Sequence, residues 1–65
     1  MIGEVVKKYR LKMGYTQEEI AKRLGISQPA FSKLESGEHN FSAPQITFLL
    51  FFLEIPVDEL KPGNK

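Results

Sequence analysis

The sequence predicts an all-α domain of five helices. Apolar residues recur three or four positions apart along much of the chain, beginning with Ile2, Val6, Tyr9 and Met13, and this spacing places them on one face of a helix. Glycine follows three of the periodic stretches, and serine or threonine precedes three of them. These are the residue types that favour helix ends and helix starts. Together the features divide the chain into short amphipathic helices joined by tight turns.

The first two helices are defined by the residues at their ends. The first spans about Ile2 to Met13 and ends at Gly14. The second begins after Thr16, whose hydroxyl can cap the helix, while Glu19 is placed to return a bond to the cap amide. Gly25 then ends this helix, because glycine adopts the positive φ of a helix C-terminus without a Cβ penalty.

The later helices follow the same pattern. Ser27 is the predicted cap of a third helix that runs from about Gln28 to Glu35 and carries Pro29 in its first turn. A polar loop then leads to a fourth helix that starts near Ser42 or Ala43. The next features in order are Pro44 in the first turn, an apolar run over residues 46–53, Pro56 as a breaker, and a last helical turn over residues 57–60.

Length and composition indicate one small globular domain. We expect residues 1–60 to form it and residues 61–65 to be a frayed C-terminal tail. At 65 residues, its unfolding free energy should be on the order of 3 to 10 kcal/mol. Apolar residues make up 42% and charged residues 26% of the chain, and no signal peptide or bilayer-spanning run is visible. With no cysteine, the fold must rely on packing, which suits the cytoplasm.

Enzymatic function is not expected. Catalysis needs a nucleophile with an oriented base, an acid and base pair, or a metal site, and the chain has one histidine and no cysteine. His39 has no second ligand at metal-binding spacing, so we predict neither a metal nor a cofactor. Glu18 and Glu19 are adjacent and therefore point to different faces of their helix.

The stretch from Gln17 to Ser36 resembles the helix-turn-helix of the phage repressor and Cro family, also called the XRE family. Ala21 would sit where the two helices cross, and Gly25 would make the turn. The wider likeness runs from about Ile2 to Leu60 through Arg10 with Glu35, the run GYTQEEIAKRLGIS and the closing IPVDEL. The pattern also includes Gln17 and the apolar residues Ile20, Leu24, Ile26, Phe31 and Leu34. The resemblance implies a compact five-helix domain that binds double-stranded DNA as a small transcriptional regulator.

In that family the third helix enters the major groove. Its predicted base-contacting residues in this chain are Gln28, Pro29, Ser32 and Lys33. Glutamine can pair with adenine and lysine can donate to guanine, whereas Pro29 could touch a thymine methyl group. The predicted phosphate-binding residues are Thr16, Gln17, Ser27, Ser36, His39 and Asn40. The resemblance also implies an ion pair between Arg10 and Glu35, the alternative being a solvated Arg10 that bonds phosphate.

Two features leave a second interpretation open. The net charge is only +1, which is low for a nucleic-acid-binding protein, and the fourth helix carries more apolar residues than one core-facing side needs. We assign Phe48, Phe51 and Phe52 to a homodimer interface, although some of them, and Phe52 above all, could instead complete a core that lacks tryptophan. The alternative function is a protein-interaction module of the same fold, antitoxin-like or partner-binding, in which DNA contact is secondary.

Overall fold

The computed structural model describes residues 2–60, and every regular secondary-structure element in that range is a helix. Its elements are α1 (Ile2–Met13), α2 (Gln17–Leu24), α3 (Gln28–Ser36), α4 (Ala43–Phe52) and a 3₁₀ helix (Val57–Leu60). The predicted all-α class is confirmed, with four α-helices and a 3₁₀ helix as the fifth element. The amide of Glu59 bonds the Pro56 carbonyl three residues back, at 3.0 Å, which is the 3₁₀ pattern. The tail predicted at residues 61–65 lies outside the described residues.

The starts of three helices have the predicted hydroxyl caps. The Thr16 hydroxyl accepts from the Glu19 amide at 3.1 Å, and the Glu19 carboxylate accepts from the Thr16 amide at 2.8 Å. Ser42 and Gln45 form the same reciprocal pair at the start of α4, and Ser27 caps α3 through the amide of Ala30. At each of these three helix starts, one first-turn amide thus has a side-chain acceptor.

Three helix ends share one backbone arrangement. Past α1, α2 and α4, a residue two or three positions beyond the helix donates its amide to a carbonyl five positions back. These bonds are Tyr15 to Arg10 at 3.0 Å, Ile26 to Ala21 at 3.0 Å, and Ile55 to Leu50 at 2.9 Å. In each case the donor residue is apolar and packs into or against the core. The left-handed residue between is glycine after α1 and α2, but after α4 it is Glu54, with φ of 55°.

All four α-helices contribute to one core. Its most deeply buried large side chains are Ile20, Phe31, Leu49 and Leu53. Ala21 is also buried, as expected for a small side chain that allows α2 and α3 to approach closely. Phe41, from the loop expected to be polar, packs edge-on against Phe31 with ring centroids 6.3 Å apart. The loop between α3 and α4 is therefore anchored to the core.

Helix α1 crosses α3 at Gly3, with no room for a side chain. A Cβ atom added there would lie 2.9 Å from the carbonyl carbon of Glu35 and closer still to its oxygen. Because these are backbone atoms of another helix, neither can rotate away. The glycine therefore determines how closely the two helices approach.

We predict that Gly3→Ala destabilises the domain by about 1 to 3 kcal/mol, the usual range for overpacking. Helix propensity alone would favour alanine by roughly 1 kcal/mol, so the sign of the change separates the two effects. Urea unfolding followed by circular dichroism measures it, with Glu4→Ala at the neighbouring exposed position as the control. A Gly3→Ala variant as stable as the parent would mean that α1 and α3 are not packed this closely.

The 3₁₀ helix is fastened to α1 by hydrogen bonds to one carboxylate. Tyr9 donates its hydroxyl to Glu59 at 2.8 Å, and Lys8 donates at 3.2 Å. The tyrosine bond is the main reason that the pKa of Glu59 is lowered, with the Lys8 bond second. The same bond raises the pKa of Tyr9 above its usual value. The carboxylate form of Glu59 therefore holds the 3₁₀ helix against α1.

The phenylalanines of α4 have different surroundings. Phe48 and Phe52 stack with ring centroids 5.3 Å apart, and Phe52 also packs on Tyr15 at 5.1 Å. The guanidinium of Arg23 lies 5.2 Å from the centre of the Phe52 ring, a cation–π distance. Both phenylalanines are half-buried against the core, whereas Phe51 is 85% exposed. Of the three rings predicted to form a dimer interface, Phe51 alone is left almost wholly exposed by the domain itself.

Candidate nucleic-acid interface

Helix α3 separates a packed face from an open one. Phe31 and Leu34 are buried against the core. On the other side are all four predicted base-contacting residues: Gln28, Pro29 and Lys33 are exposed, and Ser32 is half-buried. The structure thus brings these four side chains to one surface, which begins at the N-terminus of the helix.

The start of α2 lies beside this surface. Thr16, Gln17 and Gln28 border an open groove of about 720 Å³. First-turn amides have no acceptor within their own helix and carry the positive end of the helix dipole, so such a place suits an anion. Glu18 borders the same groove and would repel one. The exposed side chain of Leu11 forms part of the wall contributed by α1.

An ion pair lies beneath the junction of α1 and α3. The Arg10 guanidinium donates from Nε to Oε2 of Glu35 at 2.8 Å and from Nη2 to Oε1 at 3.1 Å. Arg10 is 6% exposed and Glu35 is 5% exposed, so both charges are withdrawn from water. The Nη1 atom of Arg10 donates to the carbonyl of Tyr15 at 2.9 Å. This arginine is a buried structural cation and not a solvated one.

The ion pair connects to the open face of α3 through two glutamines. Gln17 donates from Nε2 to Oε1 of Glu35 at 2.7 Å, and Gln28 donates from Nε2 to Oε1 of Gln17 at 2.6 Å. The Oε1 of Gln28 and its second N–H hydrogen are left for a ligand. A bidentate contact with adenine needs one donor and one acceptor of this kind. Gln17 was predicted only as a phosphate ligand, and its spacing of eleven residues from Gln28 carries no local signal of this bond.

The loop after α3 is organised by the last turn of the helix. The amide of His39 donates to the Lys33 carbonyl at 3.1 Å. The Ser36 hydroxyl donates to the same carbonyl at 3.1 Å and accepts from the Glu38 amide at 3.4 Å. The side chains of His39 and Asn40 are exposed. Of the predicted phosphate ligands at this end, Ser36 is already engaged within the loop.

Sequence comparison agrees with this geometry. A helix-turn-helix family model matches residues 6–60. The chain belongs to the helix-turn-helix family. The match covers all of α2 and α3 and most of α1. No solved structure matches the chain significantly.

Three Bacillus subtilis proteins of this family are similar in sequence. The uncharacterized HTH-type transcriptional regulator YazB is 40% identical over 63 residues, which are 97% of this chain and 91% of YazB. The HTH-type transcriptional regulator SlrR is 37% identical over 49 residues, or 75% of this chain and 31% of SlrR. The SPbeta prophage-derived regulator YonR, also uncharacterized, is 35% identical over 64 residues, or 98% of this chain and 59% of YonR. The chain thus spans nearly all of YazB but less than two thirds of the other two.

No group of three or more His, Cys, Asp or Glu side chains among residues 2–60 is arranged to hold a metal ion. Within that range, no helix has the length and apolar character needed to cross a membrane.

We predict that Arg10→Ala and Glu35→Ala each lower the unfolding free energy by about 3 to 5 kcal/mol, because each strands an uncompensated buried charge. That loss approaches the whole expected stability of this small helix-turn-helix domain. The double variant should lose less than the sum of the two single losses. Urea unfolding of all four chains completes the cycle, and additive losses below about 1 kcal/mol would be those of an exposed pair of little consequence.

Proposed function

We propose that this helix-turn-helix protein binds specific sequences in double-stranded DNA and represses transcription, with α3 lying in the major groove. The observation that carries the proposal is Gln28, which is exposed at the start of α3 and hydrogen-bonded to Gln17. A base-contacting side chain must be held in one orientation to distinguish bases, and Gln28 is held through Gln17 by a buried carboxylate. The relatives named as transcriptional regulators support this function.

The proposed base contacts are distributed along the open face of α3. Gln28 pairs with adenine through its free Oε1 and N–H, and Lys33 donates to guanine O6 and N7. Pro29 touches a thymine methyl group, and Ser32 makes a short-range contact with either base of a pair. Hydrogen-bonding specificity is therefore concentrated in Gln28 and Lys33.

The proposed phosphate contacts lie at the two ends of this face. Thr16 and Gln17 at the start of α2, and Ser27 at the start of α3, present helix N-termini to one stretch of backbone. Ser36, His39 and Asn40 approach the backbone at the other end, with His39 and Asn40 exposed in the loop. No catalytic step is involved. The place of action is the cytoplasm, since the similar proteins are bacterial and bacterial DNA lies there.

The first experiment is selection of bound sequences from random duplex DNA, which would provide a cognate site. Against that site, Lys33→Ala should weaken binding by about 1 to 3 kcal/mol and relax the preference at one base pair. Lys12→Ala is the matched control, because that lysine lies over the Tyr9 ring on α1. Equal losses on cognate and random duplexes would make Lys33 a phosphate ligand.

Gln17→Ala adds a second measurement in the same assay. A pure phosphate ligand would weaken binding to every sequence alike. Because Gln17 also holds Gln28, this variant should in addition relax the preference at the base pair that Gln28 contacts.

A homodimer is part of the proposal. One recognition helix makes few base contacts, whereas two copies related by a two-fold axis would contact half-sites about 34 Å apart. Phe51 is the proposed centre of the interface, with Phe48 and Phe52 beside it. Helix α4 carries no charged residue, and Phe51 is 85% exposed. Burying such a ring contributes on the order of 1.5 to 3 kcal/mol.

Phe51→Glu should give a folded monomer that binds a half-site weakly. Circular dichroism reports the fold, and sedimentation without DNA reports the oligomeric state. Val57→Glu is the matched control, since Val57 is 66% exposed on the 3₁₀ helix and lines neither groove beside α3. A Phe51→Glu protein that stays dimeric would place the interface elsewhere. Phe48 is a poor choice for this test, because it stacks within the domain.

A protein-interaction module remains the second candidate function. The observations that favour it are the exposed Phe51 and the net charge of +1. The two candidates differ in the selection experiment, because an interaction module would enrich no duplex sequence.

A further inference from the structure

We propose that the DNA-contacting surface extends onto α1, where Lys7 binds a backbone phosphate and Glu4 weakens that contact. The inference rests on the proposed function and adds a binding residue that lies outside the helix-turn-helix itself. The group that Lys7 binds is one phosphodiester of the same duplex whose major groove contains α3.

A second groove carries the argument. It has a volume of about 370 Å³ and lies open between α1 and α3. Its lining residues are Glu4, Lys7, Gln17, Ser32, Glu35 and Ser36. Ser32 and Ser36 belong to the proposed DNA-contacting face, so this groove borders it on the α1 side. The close approach at Gly3 brings α1 near enough to form the second wall.

Lys7 differs from the other cations of α1 within the described residues. Arg10 forms the buried ion pair with Glu35, and Lys8 forms an ion pair with Glu59. Lys12 lies 5.3 Å from the centre of the Tyr9 ring. Lys7 is exposed and has no hydrogen bond, ion pair or ring contact with any other residue in the range 2–60. Its ammonium group is therefore available to an external anion.

The neighbours of Lys7 determine which anion it can reach. Ser32 and Ser36 have short side chains, so the four-carbon side chain of Lys7 can extend past them towards the DNA that α3 is proposed to contact. The charge of Glu35 is neutralised by Arg10. Glu4 lies three residues before Lys7 on the same side of α1. Its carboxylate is the unpaired negative charge of the groove lining and would oppose an approaching phosphate.

The test compares three single variants on the selected cognate duplex over a range of salt concentrations. Lys7→Gln removes the proposed contact. Lys12→Gln removes the same charge from the same helix away from the groove, so it reports any effect of overall charge. Glu4→Gln removes the opposing carboxylate. Each change is at an exposed position, and circular dichroism checks that each protein is folded.

A phosphate contact contributes about 0.9 to the slope of log affinity against log salt. Lys7→Gln should therefore lower that slope by about 0.9 and weaken binding roughly five- to tenfold at 0.1 M salt. Lys12→Gln should leave the slope unchanged, and Glu4→Gln should strengthen binding severalfold.

Equal effects of Lys7→Gln and Lys12→Gln would overturn the inference, because the loss would then come from overall charge. A loss at Lys7 confined to one base pair would also overturn it, by making the contact one to a base. Absence of any duplex binding by the unmodified protein would instead overturn the proposed function. If the unmodified protein binds the duplex and Lys7→Gln binds it equally well, this inference is wrong and the proposed function stands.

Discussion

The burial of two opposite charges, on Arg10 and Glu35, is the constraint on which this structure depends. Each would be costly to hold away from water without the other. Their pairing joins the end of α1 to the end of α3, which are otherwise connected through 25 residues of chain. The remaining polar atoms are also satisfied, by the carbonyl of Tyr15 and the amide of Gln17. Among the described residues no buried side-chain nitrogen or oxygen lacks a partner. The buried pair therefore has the hydrogen-bond partners it needs, in a domain whose expected unfolding free energy is small.

The same carboxylate links stability to recognition. Glu35 accepts from Gln17, and Gln17 accepts from Gln28. A side chain at the surface is thus held by bonds that begin inside the domain, which reduces the rotamer freedom it would lose on binding. The bond from Gln17 reaches a charged carboxylate and should be stronger than the bond between the two neutral amides of Gln17 and Gln28. The orientation of Gln28 is therefore fixed, through Gln17, by the buried Glu35 carboxylate.

The charge distribution suits recognition by hydrogen bonds more than attachment by electrostatic attraction. With a net charge of +1, the protein would release few counterions on binding, so its non-specific affinity should be low and its salt dependence shallow. Several cations are held within the domain: Arg10 by Glu35, Lys8 by Glu59 and Arg23 over the Phe52 ring. The homodimer proposed above would add a second recognition helix without adding charge to either copy. The uncharged outer side of α4 is consistent with that arrangement.

Sequence alone determined the local elements of this protein. Thr16, Ser27 and Ser42 cap helices through bonds that span three residues, and glycines end α1 and α2 by the conformation of a single residue. Such features depend on near neighbours, so spacing and residue type suffice to predict them. Helical periodicity likewise predicted most of the buried faces of α1, α2 and α3, although Met13, expected on the α1 stripe, is 42% exposed.

Tertiary structure decided whatever depends on residues far apart in the chain. Phe41 is buried although its loop is polar, and Phe51 is exposed while its neighbour Phe52 packs on Tyr15. In α4 nearly every side chain is apolar, so no periodicity distinguishes its inner face from its outer one. Nothing in the sequence near Gly3 requires a glycine at that position. The requirement comes from the Glu35 carbonyl of another helix, which leaves no room for a Cβ atom. The bond between Gln17 and Gln28 also exists only because the turn brings the starts of α2 and α3 together. Distances across the folded domain set these contacts, and they have no counterpart in the spacing of residues along the chain.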